Sequence, residues 1–348
     1  MRADKVQSTN QTAPLLEVRD LHVEFHTKSG VVQAVNGLNF TLEAGQTLAI
    51  LGESGSGKSV TAQAIMGILD IPPGNISGGQ ILFHGEDLLT MPEERRRRLR
   101  GRNIAMIFQD ALSALNPVYP VGWQIAEMFR VHHKMNRNQA RERAIQLMQR
   151  VGIPAAEDRV GDYPHEFSGG MRQRIMIAMA IALDPELLIA DEPTTALDVT
   201  VQAQVMQLLK DLQDEFTMGM ILITHDLGVV ADVADEIAVM YAGQVMEAAN
   251  VYEIYQHPSH PYTQGLLDSI PRIDGTDGRL RAIEGLPPKL TDLPPGCLFQ
   301  PRCPMATDLC VAERPGLEPV VEAHVSACHY RDQLHPDATK EHHDDLIH

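Results

Sequence analysis

Eight residues, Gly52 to Ser59, read GESGSGKS and fit the spacing G-x-x-x-x-G-K-[ST]. Gly52, Gly55 and Gly57, with Ser54 and Ser56 between them, let successive backbone N–H groups curl around an anion without Cβ clashes. The apolar run QTLAILG before the loop reads as a strand. GKSVTAQAIMGIL after it reads as a helix, Val60 in its first turn, whose positive N-terminal end faces the same anion. Lys58 supplies a mobile charge for β- and γ-phosphates, and Ser59 a hydroxyl for Mg²⁺. Without that strand and helix the stretch would be only a flexible Gly/Ser turn.

A site of this kind needs a second element for metal and water. In ELLIADEP an apolar run ends in Asp191 and Glu192. Asp191 is placed for the Mg²⁺ shell. Glu192 is placed to orient or deprotonate an attacking water, a role worth about 10²–10⁴-fold. The alternative is an acidic pair capping a helix after a core strand. Ser168, Gly169 and Gly170 in EFSGGMRQR precede another helical stretch and form a second anion-receptive helix start. One nucleotide hardly needs both starts from one subunit, so two subunits sharing nucleotides head to tail are expected. His225 in LITHD ends a further apolar strand, within reach of a γ-phosphate; taken alone, such a His is usually structural.

These residues must be positioned by alternating strands and helices. LLEVRDLHVEF and VVQAVNGLNFTL alternate like strands about a turn at Ser29-Gly30. GQILFHGEDL and NIAMIFQD read as strands, Leu112 to Asp162 as helical, and Gly169 to Met246 as strand and helix again. The pattern predicts an α/β core with a largely parallel sheet and an inserted helical block. Beyond Gln256 the chain turns Pro- and Gly-rich, so a boundary is placed there. The 348 residues carry 29 basic against 46 acidic side chains, a net charge of −17, which argues against nucleic acid as partner. RRRRLR, Arg95 to Arg100, reads as the solvated face of a short charged helix. The longest apolar run, Ile175 to Leu183, is too short to cross a bilayer. MRADKVQSTNQTAP lacks an apolar core, so a disordered lead-in rather than a secretory signal is expected, and with it a reducing cytosol.

Gly52–Ser59, Gln109 in IFQD, Ser168–Gln173, Asp191–Glu192, ALD at Ala196–Asp198 and His225 come in the order and spacing of the ATP-binding cassette ATPases. They resemble that family's Walker A motif, Q-loop, signature, Walker B with catalytic glutamate, D-loop and H-loop. HEFSGGMRQRIMIAMAIA, VMYAGQVME and HPSHPYTQGLL further resemble the D-type ATP-binding subunits of oligopeptide/dipeptide importers, to about residue 331. The signature departs from LSGGQ as FSGGM, and DALSALNP stands where DPMTSLNP is commoner in that subfamily.

The resemblance implies a P-loop, RecA-like core with N-terminal antiparallel β elements and a helical subdomain over about 112–172. The cassette would span 15–256, after a lead-in at 1–14. A small Cys-rich C-terminal domain would follow at 257–332, then a flexible tail at 333–348. It implies ATP and Mg²⁺ as ligands, with Ser59, Gln109 and Asp191 toward the metal, and Phe25 stacking on adenine (His26 as second choice). Glu192 and His225 would serve hydrolysis. Ser168–Gly170 and Asp198 would face the partner's nucleotide. The implied assembly has a related F-type ATPase subunit, two membrane permeases and an external peptide-binding protein, with this chain at the cytoplasmic face of a bacterial inner membrane. Glutathione or nickel are alternative cargoes. DNA-repair relatives would need coiled coils, a second cassette or a basic face, and exporters often carry membrane helices in the same chain.

All four cysteines lie near the end: Cys297, Cys303, Cys310 and Cys328, spaced C-x₅-C-x₆-C-x₁₇-C. Free buried thiols, zinc and an iron–sulfur cluster are the three readings. Zinc usually wants a tighter C-x₂₋₄-C knuckle, whereas a cluster tolerates wider spacing. The segment resembles the C-terminal part of peptide-importer ATPases, which implies a [4Fe–4S] cluster. A segment so rich in proline is expected to build little core of its own, and a four-ligand knot would supply stability.

Overall fold

The computed structural model describes residues 13–195, 197–269 and 282–335. Most of the expected lead-in, the D-loop residue Ala196 and the tail beyond His335 lie outside the described residues.

Among the described residues there are twelve strands: β1 Leu16–Thr27, β2 Gly30–Leu42, β3 Thr47–Leu51, β4 Gly74–Phe83, β5 Glu86–Asp87, β6 Ile104–Ile107, β7 Leu187–Asp191, β8 Gly219–Thr224, β9 Glu236–Tyr241, β10 Gln244–Asn250, β11 Glu318–Val321 and β12 His324–Ser326. They form two sheets. The order β2-β1-β4-β5 is antiparallel throughout. The larger sheet has the order β11-β12-β10-β9-β3-β8-β7-β6. Its strands from β9 to β6 are parallel and the other three antiparallel.

The burial of these strands explains their composition. Every residue of β3, β7 and β8 is buried, as expected of parallel strands covered on both faces. Side chains of β3 alternate between two cores. Leu48 and Ile50 join Leu16, Val18, Leu38 and Ile65 between the two sheets. Ala49 and Leu51 join the opposite core, which holds the helical insert. β1 is one-sided instead, with Leu16, Val18, Leu21 and Val23 buried.

The insert contains helices Val121–His132 and Arg137–Arg150, and the helix Gly169–Ala180 follows it. Asn136 starts the second through a capping box with Gln139. The Arg-rich helix Glu93–Leu99 buries no residue; Arg96 and Arg100 both pair with Glu93.

Two expectations need correction. GQILFHGEDL is not one strand: β4 starts earlier, at Gly74, and the chain turns at His84-Gly85 into β5. The C-terminal segment is not a poorly cored appendage. β12 pairs with β10, so the main sheet runs on past the boundary placed near Gln256. Leu298, Phe299, Cys297 and Cys310 sit in the same core as Leu51 and Leu222. The apolar residues responsible are too few and too local to show periodicity.

Candidate functional site

Parallel strands deliver their C-terminal ends to one edge of the sheet, where ligands bind in open α/β folds. Leu51 is in register with Thr224, and Asp191 with Ile223. The loops leaving β3, β6, β7 and β8 therefore bring the Gly-rich loop, Gln109, Asp191–Glu192 and His225 to the same edge.

The Gly-rich loop is shaped by close backbone approaches. Gly52 has φ +149°, and a Cβ there would lie 2.1 Å from the Met240 carbonyl oxygen. Gly57 has φ +104°, and its Cβ would lie 2.3 Å from the Ala34 oxygen. Both positions require glycine. Gly57 leads into the helix Lys58–Met66, which stops at Gly67, short of the expected Leu69. Lys58 Nζ curls back and donates to the Gly52 oxygen (2.7 Å), the Glu53 oxygen (2.9 Å) and Ser56 Oγ (3.3 Å). Burial pushes its ammonium pKa down, against the pull of Glu192, Asp191 and Glu53. Ser59 Oγ donates to Asp191 Oδ1 at 3.0 Å. Burial raises the Asp191 carboxyl above the usual range, opposed by that hydrogen bond. A partly buried hydroxyl–carboxylate pair beside a phosphate loop is a donor set suited to Mg²⁺.

Glu192 is held from three sides. Its backbone adopts φ +47° and its N–H donates to the Ile223 oxygen at 2.8 Å, locking it to β8. Oε2 accepts from Gln109 Nε2 (2.8 Å) and from Thr195 Oγ1 (2.8 Å). His225 Nδ1 lies 3.4 Å from Oε1. Gln109, Glu192 and His225, from three different loops, thus meet around one carboxylate. A carboxylate fixed beside a phosphate cradle can orient and deprotonate water.

The other candidates sit elsewhere. Ser168 caps the helix Gly169–Ala180 by accepting from the Met171 N–H at 3.4 Å, and Asp198 caps Val199–Phe216 through the Val201 N–H at 3.0 Å. A Cβ on Gly169 would make ordinary contact with Leu197 at 4.0 Å, whereas Gly170 packs tightly on Val201. Among the described residues neither Ser168 nor Asp198 hydrogen-bonds to the Gly-rich loop. Ser54 and Gly55 line the exposed tip of that loop, and Val60 follows half-buried. Phe25 is partly buried against the inter-sheet core, and His26 Nε2 is 2.9 Å from Glu24 Oε1.

Several participants escaped the sequence reading. Thr195 stands three residues after Glu192. Glu53 receives a bidentate ion pair from Arg302, and the Glu53 N–H donates to Tyr262 Oη at 2.9 Å. Arg302 flanks Cys303 in QPRC, which is the one local hint; nothing in the spacing joins it to Glu53.

The four thiols are free and border one small enclosed void with His260, Phe299 and Tyr330. The Cys297 N–H donates to the Cys310 oxygen at 2.8 Å, which draws two of the segments together. Burial, reinforced by the neighbouring cysteines, pushes the Cys328 thiol up to about 12. Cys297 and Cys303 are raised for the same reasons. Four soft donors converging on a void, with Cys297, Cys303 and Cys328 reluctant to ionise without a cation, fit a thiolate-bound group.

Comparison with known proteins agrees with this geometry. Residues 35–195 match the ABC transporter family, and residues 246–310 match the family described as oligopeptide/dipeptide transporter, C-terminal region. The chain is 52% identical over 327 residues to the oligopeptide transport ATP-binding protein OppD of Bacillus subtilis, covering 94% of this chain and 90% of that one. It is 49% identical to the dipeptide transport ATP-binding protein DppD of the same organism, over 92% of this chain and 95% of that one. Among solved structures, a dimeric ATP-binding cassette bound to ADP and Pi has the same fold, with a TM-score of 0.61 at 24% identity, covering 68% of this chain and 98% of that one. The cbiO1 component of an ABC transporter complex from Clostridium perfringens has a TM-score of 0.59 at 30% identity, over 70% of this chain and 90% of that one. With the phosphate cradle, the pinned carboxylate and these relatives together, the chain belongs to the ABC transporter ATPases, as an ATP-binding subunit of the oligopeptide/dipeptide transporter type.

Proposed function

We propose that this ATPase powers the import of peptides across a bacterial inner membrane, docked at its cytoplasmic face. Among the described residues no helix is long and apolar enough to cross a membrane, so translocation is left to two permease subunits, with an external peptide-binding protein delivering cargo. The observation that carries the catalytic part is the meeting of Gln109, Glu192 and His225 at one carboxylate beside Lys58 and Ser59.

In this reading the backbone N–H groups of Gly52–Lys58 hold the β- and γ-phosphates. Lys58 leaves its carbonyl partners for the phosphates, because a buried ammonium gains more from an anion than from neutral acceptors. Ser59 and Asp191, with Gln109, hold Mg²⁺, which screens the phosphate charge when bound. Phe25 stacks on adenine. Ser168–Gly170 and Asp198 face the nucleotide of a paired, F-type ATPase subunit, so closure of the pair follows ATP binding. Glu192 takes the water proton, and His225 steadies the carboxylate and the γ-phosphate. Cys297, Cys303, Cys310 and Cys328 hold a [4Fe–4S] cluster whose role is to tie the C-terminal segment together.

Reconstitution of the chain with its permease and ATPase partners in proteoliposomes tests the proposal. ATPase activity stimulated several-fold by peptide-loaded binding protein is expected. Stimulation by nickel or glutathione instead would reassign the cargo, and none by any solute would overturn the importer reading.

A further inference from the structure

A second cluster of metal-type side chains lies away from both the nucleotide edge and the cysteines. Glu253 and His257 stand one turn apart at the helix Val251–Gln256. His335 comes from the end of the described C-terminal segment, and its side chain is almost fully buried. His257 Nδ1 lies 3.2 Å and His335 Nε2 3.1 Å from the same oxygen, Glu253 Oε2. One ligand atom from each of the three lies within 4.8 Å of the others. Bonds of 2.0–2.2 Å in a tetrahedral site separate neighbouring ligands by about 3.4 Å, close to the spacing of these nitrogens from the carboxylate.

A fourth group points the same way. His324 is fully buried on β12, with Nδ1 3.9 Å from Glu253 Oε2. Its Nε2 is 2.8 Å from Glu247 Oε1, an oxygen that also accepts from the Ser259 N–H. Carboxylate Glu247 can only accept, so Nε2 carries a hydrogen and Nδ1 is the nitrogen left facing Glu253. Among the described residues that Nδ1 has no hydrogen-bond partner. A cation between the rings and Glu253 would give that nitrogen a partner. A carboxylate orienting a histidine through its other nitrogen is the usual outer support of a metal ligand.

We infer that Glu253, His257 and His335, with His324 alongside them, form a binding site for a borderline divalent cation of the zinc type. Imidazole donors select such ions over Mg²⁺ or Ca²⁺. The ion would clip the C-terminal segment to the helix that follows β10, since its ligands come from both. It is separate from the thiols, which supply no donor to it.

Co²⁺ titration of the full-length protein, followed by absorption spectroscopy, tests this. One equivalent bound with ligand-field bands of a nitrogen/oxygen site, and no thiolate-to-cobalt charge transfer, is expected. His257→Ala and His335→Ala should each weaken this binding at least tenfold, and Glu247→Gln about tenfold. All should leave basal ATPase activity unchanged. Co²⁺ bound only with thiolate charge transfer, no stoichiometric binding by the unaltered protein, or equal binding by the His variants would overturn the site.

Discussion

Arg302 grips Glu53 with both terminal guanidinium nitrogens, Nη1 to Oε2 at 2.6 Å and Nη2 to Oε1 at 3.0 Å. Glu53 belongs to the Gly-rich loop, and Arg302 stands next to Cys303. The ion pair therefore links the cysteine segment physically to the phosphate cradle. Its Arg side chain is only 4% exposed against 29% for Glu53, and it also lies over the rings of Tyr241 and Phe299.

Arg302→Ala should loosen that link. Removing one partner of a largely buried pair leaves the other charge uncompensated, at a cost of about 2–3 kcal/mol given the partial exposure of Glu53. Urea denaturation measures the loss. The KM for ATP should rise several-fold while the rate at saturation changes less. Arg302→Lys should recover only part of the effect, because a lysine keeps the charge and loses the fork. Unchanged KM and unchanged stability would make the contact incidental.

Asp191 should show a trade between stability and catalysis. Its native pKa is raised by burial, so the native state holds this proton more tightly than the unfolded chain does. The stabilising contribution is present at low pH and is lost as pH rises through the raised value. At neutral pH the ionised carboxyl is a net cost. Asp191→Asn should thus raise the thermal midpoint of the nucleotide-free protein at pH 7 and flatten its dependence on pH just above the ordinary carboxylate range. The same variant should lose Mg²⁺-dependent hydrolysis by at least about 10²-fold. For the unaltered protein, Mg²⁺ demand should increase as pH falls toward the raised pKa, since binding displaces the proton.

Cys303→Ser tests the thiol site. Anaerobically purified protein should be brown, and the variant should be pale and unfold at lower temperature. Because Leu298 and Phe299 belong to the main core, the loss should reach the cassette, seen as a common unfolding transition rather than a separate early one. Colourless protein with stoichiometric zinc on the four cysteines would replace iron–sulfur with zinc.

Much of the site was legible because it is local. GESGSGKS carries its own turn chemistry, and ELLIAD is an uninterrupted apolar run ending in a carboxylate, so Lys58, Ser59, Asp191 and Glu192 could be placed before any coordinates. The same holds for β1 and β2 about Ser29-Gly30. What stayed hidden depends on distant residues meeting. Nothing near Glu53 announces Arg302, and nothing near His257 announces His324 or His335. The C-terminal segment misled for a related reason: the residues it buries in the core, such as Leu298, Phe299 and Cys310, are scattered among prolines, and its strands β11 and β12 are too short for a two-residue period to stand out.

The central claim is that Glu192 activates the water. Steady-state ATPase activity of Glu192→Gln, assayed with the corresponding carboxylate of any partner ATPase also changed to Gln, tests it most directly. ATP binding should remain within a few-fold of the unaltered protein, because Gln109, Thr195 and His225 still surround an amide of the same shape. Turnover should fall by about 10²–10⁴-fold. Undiminished turnover would contradict the assignment.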